Sequence, residues 1–125
     1  MHTKLATVFA AVFCVLGVAG FLSSLTPDGN LFGMFAVDVM HNIVYLGSGL
    51  LALAVLWKKL DALLYFKVFG IIFGIFTIVG FLEGDAIFGL MVTNMGDNLL
   101  HLIFASLALW AGFGEDAHAR TRARA

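Results

Sequence analysis

Long apolar runs dominate the chain, and short polar segments separate them. Four runs, each close to the roughly 20 residues that a helix needs to cross a hydrocarbon core of about 30 Å, cover residues 4–25, 36–57, 62–82 and 90–113. They are apolar on most faces and about twice as long as the ten-residue alternating strands of a membrane barrel. The pattern therefore predicts an all-α fold, a bundle of four transmembrane helices.

The apolar runs form two similar halves. Residues 31–53 (LFGMFAVDVMHNIVYLGSGLLAL) align without a gap with residues 87–109 (IFGLMVTNMGDNLLHLIFASLAL), and VAGFL at 18–22 matches IVGFL at 78–82. Because each half has two helices, both halves enter the membrane in the same orientation, as parallel repeats related by a pseudo-two-fold axis along the membrane normal. We therefore predict a single membrane domain over 1–125, with repeats at about 4–57 and 62–113 and a basic tail at 114–125.

Small residues recur in the odd-numbered helices. The alignment of the halves pairs Ala10 and Cys14 with Gly70 and Gly74, a small-xxx-small spacing in both helices. In lipid, close backbone approach at small residues supplies much of the packing between helices. We therefore predict that these four positions lie at helix contacts, and we interpret the single cysteine as a packing residue rather than a reactive thiol.

Composition and charge place the runs in a membrane. The chain is 62% hydrophobic and 12% charged, which is outside the range of soluble globular proteins. The first and third connections contain turn residues and three acidic side chains, Asp28, Glu83 and Asp85, whereas all seven lysines and arginines lie elsewhere. By the positive-inside rule, a multi-pass protein with this charge distribution has both termini in the cytoplasm.

Polar side chains nevertheless occur inside the second and fourth runs, at spacings of three and four that place them on one helix face. A charged group facing lipid at this depth costs at least about 2.5 kcal/mol, so the two stripes should face each other inside the bundle. The repeat puts His41 at the position of Asp97 and predicts their approach across the bundle, while Asp97 and His101 are one turn apart and can pair. The full set is Asp38, His41, Asn42, Tyr45, Asn94, Asp97, Asn98 and His101.

Three interpretations of these stripes remain open. A hydrogen-bond network between helices 2 and 4 would fix their pairing. Alternatively, His41, Asp97 and His101 would bind a divalent metal, a haem or a chlorophyll-type pigment; against this, the two histidines are not equivalent in the repeat and the Glu-x-x-His pattern is absent. Titratable groups inside a membrane are also typical of proton or ion transport, for which four helices would need an oligomer.

The segments LFGMFAVDVMHNIVYLGSG and IFGLMVTNMGDNLLHLIFA resemble a bacterial family of small four-helix membrane proteins known only as a domain of unknown function. The likeness extends from about residue 9 to residue 111, and DNLLH is its most specific part. It implies the four-helix fold and a location in the bacterial inner membrane, and it implies no activity. Where members often have HN..H, this chain has Tyr45 in place of the second histidine, which weighs against a symmetric histidine pair binding a cofactor.

The sequence thus predicts a small structural or accessory membrane subunit, with no catalytic residue and no resident metal or cofactor. It has no nucleophile beside a base of the kind that covalent catalysis requires. We expect its partners to be the lipid bilayer and either a larger membrane complex or further copies of itself. The arginines of the tail favour contact with anionic lipid, and nucleic acid is not an expected partner.

Overall fold

A computed structural model describes residues 2–114 of the protein. Each of its four long helices is long and apolar enough to cross a membrane, when α4 is counted with the wider π-type turn that continues it at Trp110–Gly114. The prediction of an all-α bundle of four membrane-spanning helices is therefore confirmed. The helices are α1 (His2–Ala19), α2 (Val39–Leu56), α3 (Ala62–Glu83) and α4 (Met95–Leu109).

A short β-hairpin precedes the second helix of each repeat, a feature that we did not predict. In both hairpins a Phe-Gly pair occupies the turn with positive φ, 54° and 73° in the first and 55° and 69° in the second. Two successive positive φ values are typical of the type I′ turn, whose twist matches that of the paired strands. The strands are β1 (Asn30–Leu31) with β2 (Phe35–Ala36), and β3 (Ala86–Ile87) with β4 (Met91–Val92).

The structure corrects three of the predicted helix boundaries, two of them because of the hairpins. Helix α2 begins at Val39 rather than residue 36, and α4 begins at Met95 rather than residue 90, because strand residues precede both. These strands are only two residues long and apolar, so they look like continuations of the helices. Helix α1 ends at Ala19 rather than residue 25, since two 3₁₀ turns follow it, and the second of these begins at Pro27.

Close helix packing occurs within each repeat, between α1 and α2 and between α3 and α4. Three of the predicted packing positions are consistent with this arrangement: Ala10 is buried, a Cβ on Gly49 would collide with Cys14, and a Cβ on Gly70 would collide with Leu109. These contacts leave no room for a larger side chain on the glycines. Helices in lipid associate through such close approach.

The prediction for Gly74 is wrong, because a Cβ there would meet no atom within 4 Å in residues 2–114. The buried stripe of α3 instead advances from Gly70 through Phe73 and Thr77 to Gly80. Steps of three and four residues follow one face of a helix, and Gly74 lies beside that face. A small-xxx-small spacing therefore indicates a contact between helices only where both small residues face a neighbouring helix.

Phenylalanine rings fill the middle of the bundle, where the two repeats meet. Phe9 and Phe13 of α1 contact Phe69 of α3 and Phe104 of α4, with ring centroids 4.9 to 5.3 Å apart and edge-to-face orientations. Such aromatic pairs contribute about 0.5 to 1.5 kcal/mol each beyond the area they bury. This aromatic core lies between the polar residues at the hairpin end and the connection from α2 to α3 at the other end.

Candidate functional site

A buried cluster of polar side chains lies at the hairpin end of the bundle, in and just before the first two turns of α2 and α4. None of its members is more than 4% exposed. Six of them were predicted to face inward, and Thr93 was not. The polar cluster consists of His41, Asn42, Tyr45, Thr93, Asp97, Asn98 and His101.

Asp38 and Asn94, the other two predicted polar residues, begin α2 and α4 as N-caps. Each side-chain oxygen accepts the backbone N–H three residues later, at 2.8 and 3.0 Å, which satisfies a free helix donor. Each cap also reaches the hairpin of the other repeat: Asp38 Oδ2 accepts the Val92 N–H at 3.0 Å, and Asn94 Nδ2 donates to the Met34 carbonyl at 3.0 Å. Each of the two cap side chains thus begins its own helix and also joins that repeat to the other one.

The residue three positions after each cap makes a second contact with the opposite hairpin. His41 Nδ1 lies 2.9 Å from the Val92 carbonyl oxygen, and the Ala36 N–H hydrogen-bonds to the Asp97 carboxylate. His41 and Asp97 are equivalent in the repeat, and so are Ala36 and Val92. The pseudo-symmetry therefore relates the two contacts, with donor and acceptor exchanged. The Val92 carbonyl oxygen can only accept, which requires the proton on His41 Nδ1, whereas the Asp97 carboxylate accepts from the Ala36 N–H.

His41 and Asp97 approach each other across the bundle as the repeat predicts, with His41 Nε2 3.9 Å from Asp97 Oδ1. This distance is too long for a hydrogen bond, and His41 Nε2 has no such partner within residues 2–114. Asp97 is held instead by backbone groups, since its Oδ2 also accepts the Asn94 N–H at 3.2 Å to complete a capping box.

Tyr45 lies at the centre of the polar cluster. Its hydroxyl donates to Asp97 Oδ1 at 3.5 Å and lies 3.0 Å from His101 Nε2. The direct pairing of Asp97 with His101 that the spacing predicted is thus replaced by a bridge through the phenol. A hydroxyl has one proton, so donation to Asp97 leaves its oxygen free to accept from His101 Nε2–H. Tyr45, which replaces the second histidine of the family pattern, therefore connects α2 to α4.

Asn42 and Asn98 link each even-numbered helix to its partner in the same repeat. Asn42 Oδ1 lies so close to Gly20 that a Cβ there would overlap it, and Asn98 Oδ1 has the same relation to Gly80. The sequence contained the signal for this contact, because Gly20 and Gly80 are matched in VAGFL and IVGFL. We missed it because nothing in the local pattern indicates which residue the glycine faces.

The two repeats differ in how they satisfy these amides. Thr93 Oγ1 donates to Asn98 Oδ1 at 3.1 Å, whereas Asn42 Oδ1 has no hydrogen-bond partner within residues 2–114. The repeat position of Thr93 is occupied by Val37, which has the same shape but no hydroxyl. A buried acceptor without a donor is costly. The first repeat carries this cost at Asn42, whereas Thr93 removes it at Asn98 in the second repeat.

We therefore expect Val37→Thr to stabilise the protein by about 1 kcal/mol, the usual contribution of one hydrogen bond. Thermal unfolding in detergent, followed by circular dichroism, measures the effect. The matched variant Thr93→Val should destabilise by a similar amount, because it leaves Asn98 Oδ1 without its donor. A Val37→Thr protein that melts at or below the temperature of the parent would contradict this account of Asn42.

His41, Asp97 and His101, the residues of the alternative metal site, all lie in the polar cluster. In the part of the chain that the structure covers, no three His, Cys, Asp or Glu side chains are placed to hold a metal ion. On the side toward the bundle centre, Phe73 and Phe76 contact the His101 ring, with centroids 5.4 and 6.1 Å away. Apolar rings thus close this side of the polar cluster.

A family model for a domain of unknown function, DUF4383, matches residues 4–114. This match confirms the resemblance to a family of unknown function that the two FG segments indicated. No curated protein and no solved structure matches the chain.

Proposed function

The chain belongs to the DUF4383 family, and we propose that this membrane protein is a structural or accessory subunit without catalytic activity. The observation that carries the proposal is the reciprocal cross-link at the hairpin end. Asp38 and Asn94 each cap their own helix and bind the hairpin of the other repeat. These polar side chains hold the two halves of the bundle together.

The membrane environment explains why such a cross-link is needed. Backbone N–H and carbonyl groups at membrane depth must be hydrogen-bonded within the protein. A hairpin with two-residue strands satisfies few of its own groups, so the polar groups of Val92, Met34 and Ala36 need partners from outside it. Side chains of the opposite repeat supply those partners. This use of the polar residues favours a structural role over a metal, haem or pigment site and over proton or ion transport.

We further propose that the protein lies in the bacterial inner membrane with both termini in the cytoplasm. At the end opposite the hairpins, Lys58 and Lys59 are exposed, and Trp57 and Trp110 are 69% and 48% exposed, as expected at a cytoplasmic interface. The predicted basic tail lies outside the described residues apart from Gly114. An impermeant thiol reagent added to intact cells should label the variant Asp85→Cys. Labelling of Lys59→Cys instead would reverse the orientation.

Purification from native membranes in a mild detergent tests the proposed function. We expect the tagged protein to bring down either a larger membrane protein in fixed stoichiometry or further copies of itself. A visible absorbance band or a stoichiometric metal would replace the proposal with a cofactor-binding role. Proton or ion flux in liposomes that is lost in Asp97→Asn but kept in the control Asp85→Asn would replace it with transport, and a solitary monomer would contradict the accessory role.

A further inference from the structure

A cleft opens on the outside of the bundle between α2 and α3. These helices belong to different repeats and make far fewer close contacts than the helices within a repeat. The cleft has a volume of about 430 Å³, which lies in the roughly 300 to 1,000 Å³ range of ligand sites. Its lining is almost entirely apolar and includes Val44, Leu51, Leu64, Val68 and Phe76.

A second, polar cavity lies next to the cleft, at the end of the bundle opposite the hairpins. Leu60 lines both spaces, and the second has a volume of about 490 Å³, with Lys58 and Lys59 in its wall. Asp61 also lines it, but this carboxylate caps α3 by accepting the Leu64 N–H at 2.9 Å, where the positive end of the helix dipole offsets its charge. An apolar cleft therefore lies beside a cavity with two lysines in its wall.

The backbone of Lys58 gives a second and independent observation. Lys58 has φ 59°, a left-handed conformation that favours glycine over any residue with a Cβ. The Lys58 N–H donates to the Val55 carbonyl at 3.0 Å and the Lys59 N–H donates to the Ala54 carbonyl at 2.8 Å, the two bonds of a Schellman motif. Glycine is the usual residue at this position, and the lysine places an ammonium group there instead.

We propose that the cleft and the cationic cavity together bind one phospholipid with an anionic headgroup. One acyl chain lies between α2 and α3, and the phosphate lies beside Lys58 and Lys59. The geometry suits an intact lipid, because the apolar cleft runs along the membrane-spanning helices and the charged cavity is at the level of Trp57. Indole rings favour the headgroup level of a bilayer, which places the cavity where a lipid phosphate lies.

Native mass spectrometry of the detergent-purified protein, incubated with equal amounts of phosphatidylglycerol and phosphatidylcholine, tests the proposal. We expect retention of phosphatidylglycerol to exceed that of phosphatidylcholine. The double variant Lys58→Gly with Lys59→Ser should lose this preference, by about five-fold for each lysine and roughly 30-fold in total. The glycine suits the left-handed position, so the variant keeps the fold. Lys4→Ser is the matched control, because Lys4 is exposed on α1 and lines neither cavity.

A cleft variant separates lipid from other occupants. Val68→Trp should fill the cleft and lower the retention of both lipids, and an unchanged retention would overturn the placement of the acyl chain. Equal retention of the two lipids, or an equal loss in Lys4→Ser, would overturn the headgroup site. Competition by inorganic phosphate would indicate an anion site without a lipid, and a dimer that survives delipidation and is lost in Val68→Trp would place a second copy in the cleft. Each of these results can occur whether or not the protein is an accessory subunit.

Discussion

Asp97→Ala is expected to lower the free energy of unfolding by about 3 kcal/mol, more than any other single change in the polar cluster. The carboxylate is 0% exposed and accepts from the Asn94 N–H, the Ala36 N–H and the Tyr45 hydroxyl. Removing it takes the acceptor from two backbone N–H groups and leaves the Tyr45 hydroxyl with His101 Nε2 as its remaining partner. Each unpaired donor costs about 1 to 3 kcal/mol, and removing the desolvation cost of the buried carboxylate offsets part of this loss.

Thermal or denaturant unfolding in detergent micelles measures the loss. Asp85→Ala is the control, because Asp85 is an exposed acidic residue of the third connection and a surface change of this kind stays within about 0.5 kcal/mol. Asp97→Asn should give an intermediate value, since the amide oxygen can still accept one of the three donors. A loss below about 1 kcal/mol for Asp97→Ala, within the range of one ordinary hydrogen bond, would contradict the structural role of the carboxylate.

Gly80→Ala has the second-largest expected effect, a loss of about 2 kcal/mol. The added Cβ would overlap Asn98 Oδ1. Asn98 has a short side chain, is 2% exposed and is held by Thr93, so it cannot move away without breaking that hydrogen bond. Overpacking of this kind costs about 1 to 3 kcal/mol, and it outweighs the gain of up to about 1 kcal/mol from alanine in a helix.

Gly74→Ala supplies the comparison for this prediction, because the same helix gains the same methyl group in open space. It should leave the melting temperature unchanged or raise it. The opposite signs of the two variants test the placement of the glycines rather than helix propensity. Equal melting temperatures for Gly74→Ala and Gly80→Ala would rule out a close contact between Gly80 and Asn98.

The hairpins change how the polar cluster is understood. A polar stripe on two transmembrane helices first indicates contact between those helices, yet only Tyr45, His41, Asp97 and His101 meet in that way. Much of the hydrogen bonding goes from a side chain to the backbone of the opposite hairpin. The polar residues thus supply hydrogen-bond partners to the backbone of both hairpins, and these bonds join the two repeats.

The sequence by itself determined the properties that depend on local pattern. Apolar runs of about 20 residues and spacings of three and four residues require helices in a membrane and an inward-facing polar stripe. The internal repeat added one long-range statement, that His41 approaches Asp97, because equivalent positions meet near a pseudo-two-fold axis. Their 3.9 Å separation agrees with it.

Only the tertiary structure decided what each polar group binds. Asp38 and Val92 are 54 residues apart in the chain, and no local periodicity relates an N-cap to a distant strand. Phe-Gly turns look apolar and helical in sequence, so the hairpins became visible only through their positive φ values. The bridge through Tyr45, the contact of Gly80 with Asn98 and the cleft between α2 and α3 likewise depend on how the two repeats pack. Packing across the pseudo-symmetry axis is a property of the whole chain, whereas helix length and polarity are properties of each segment.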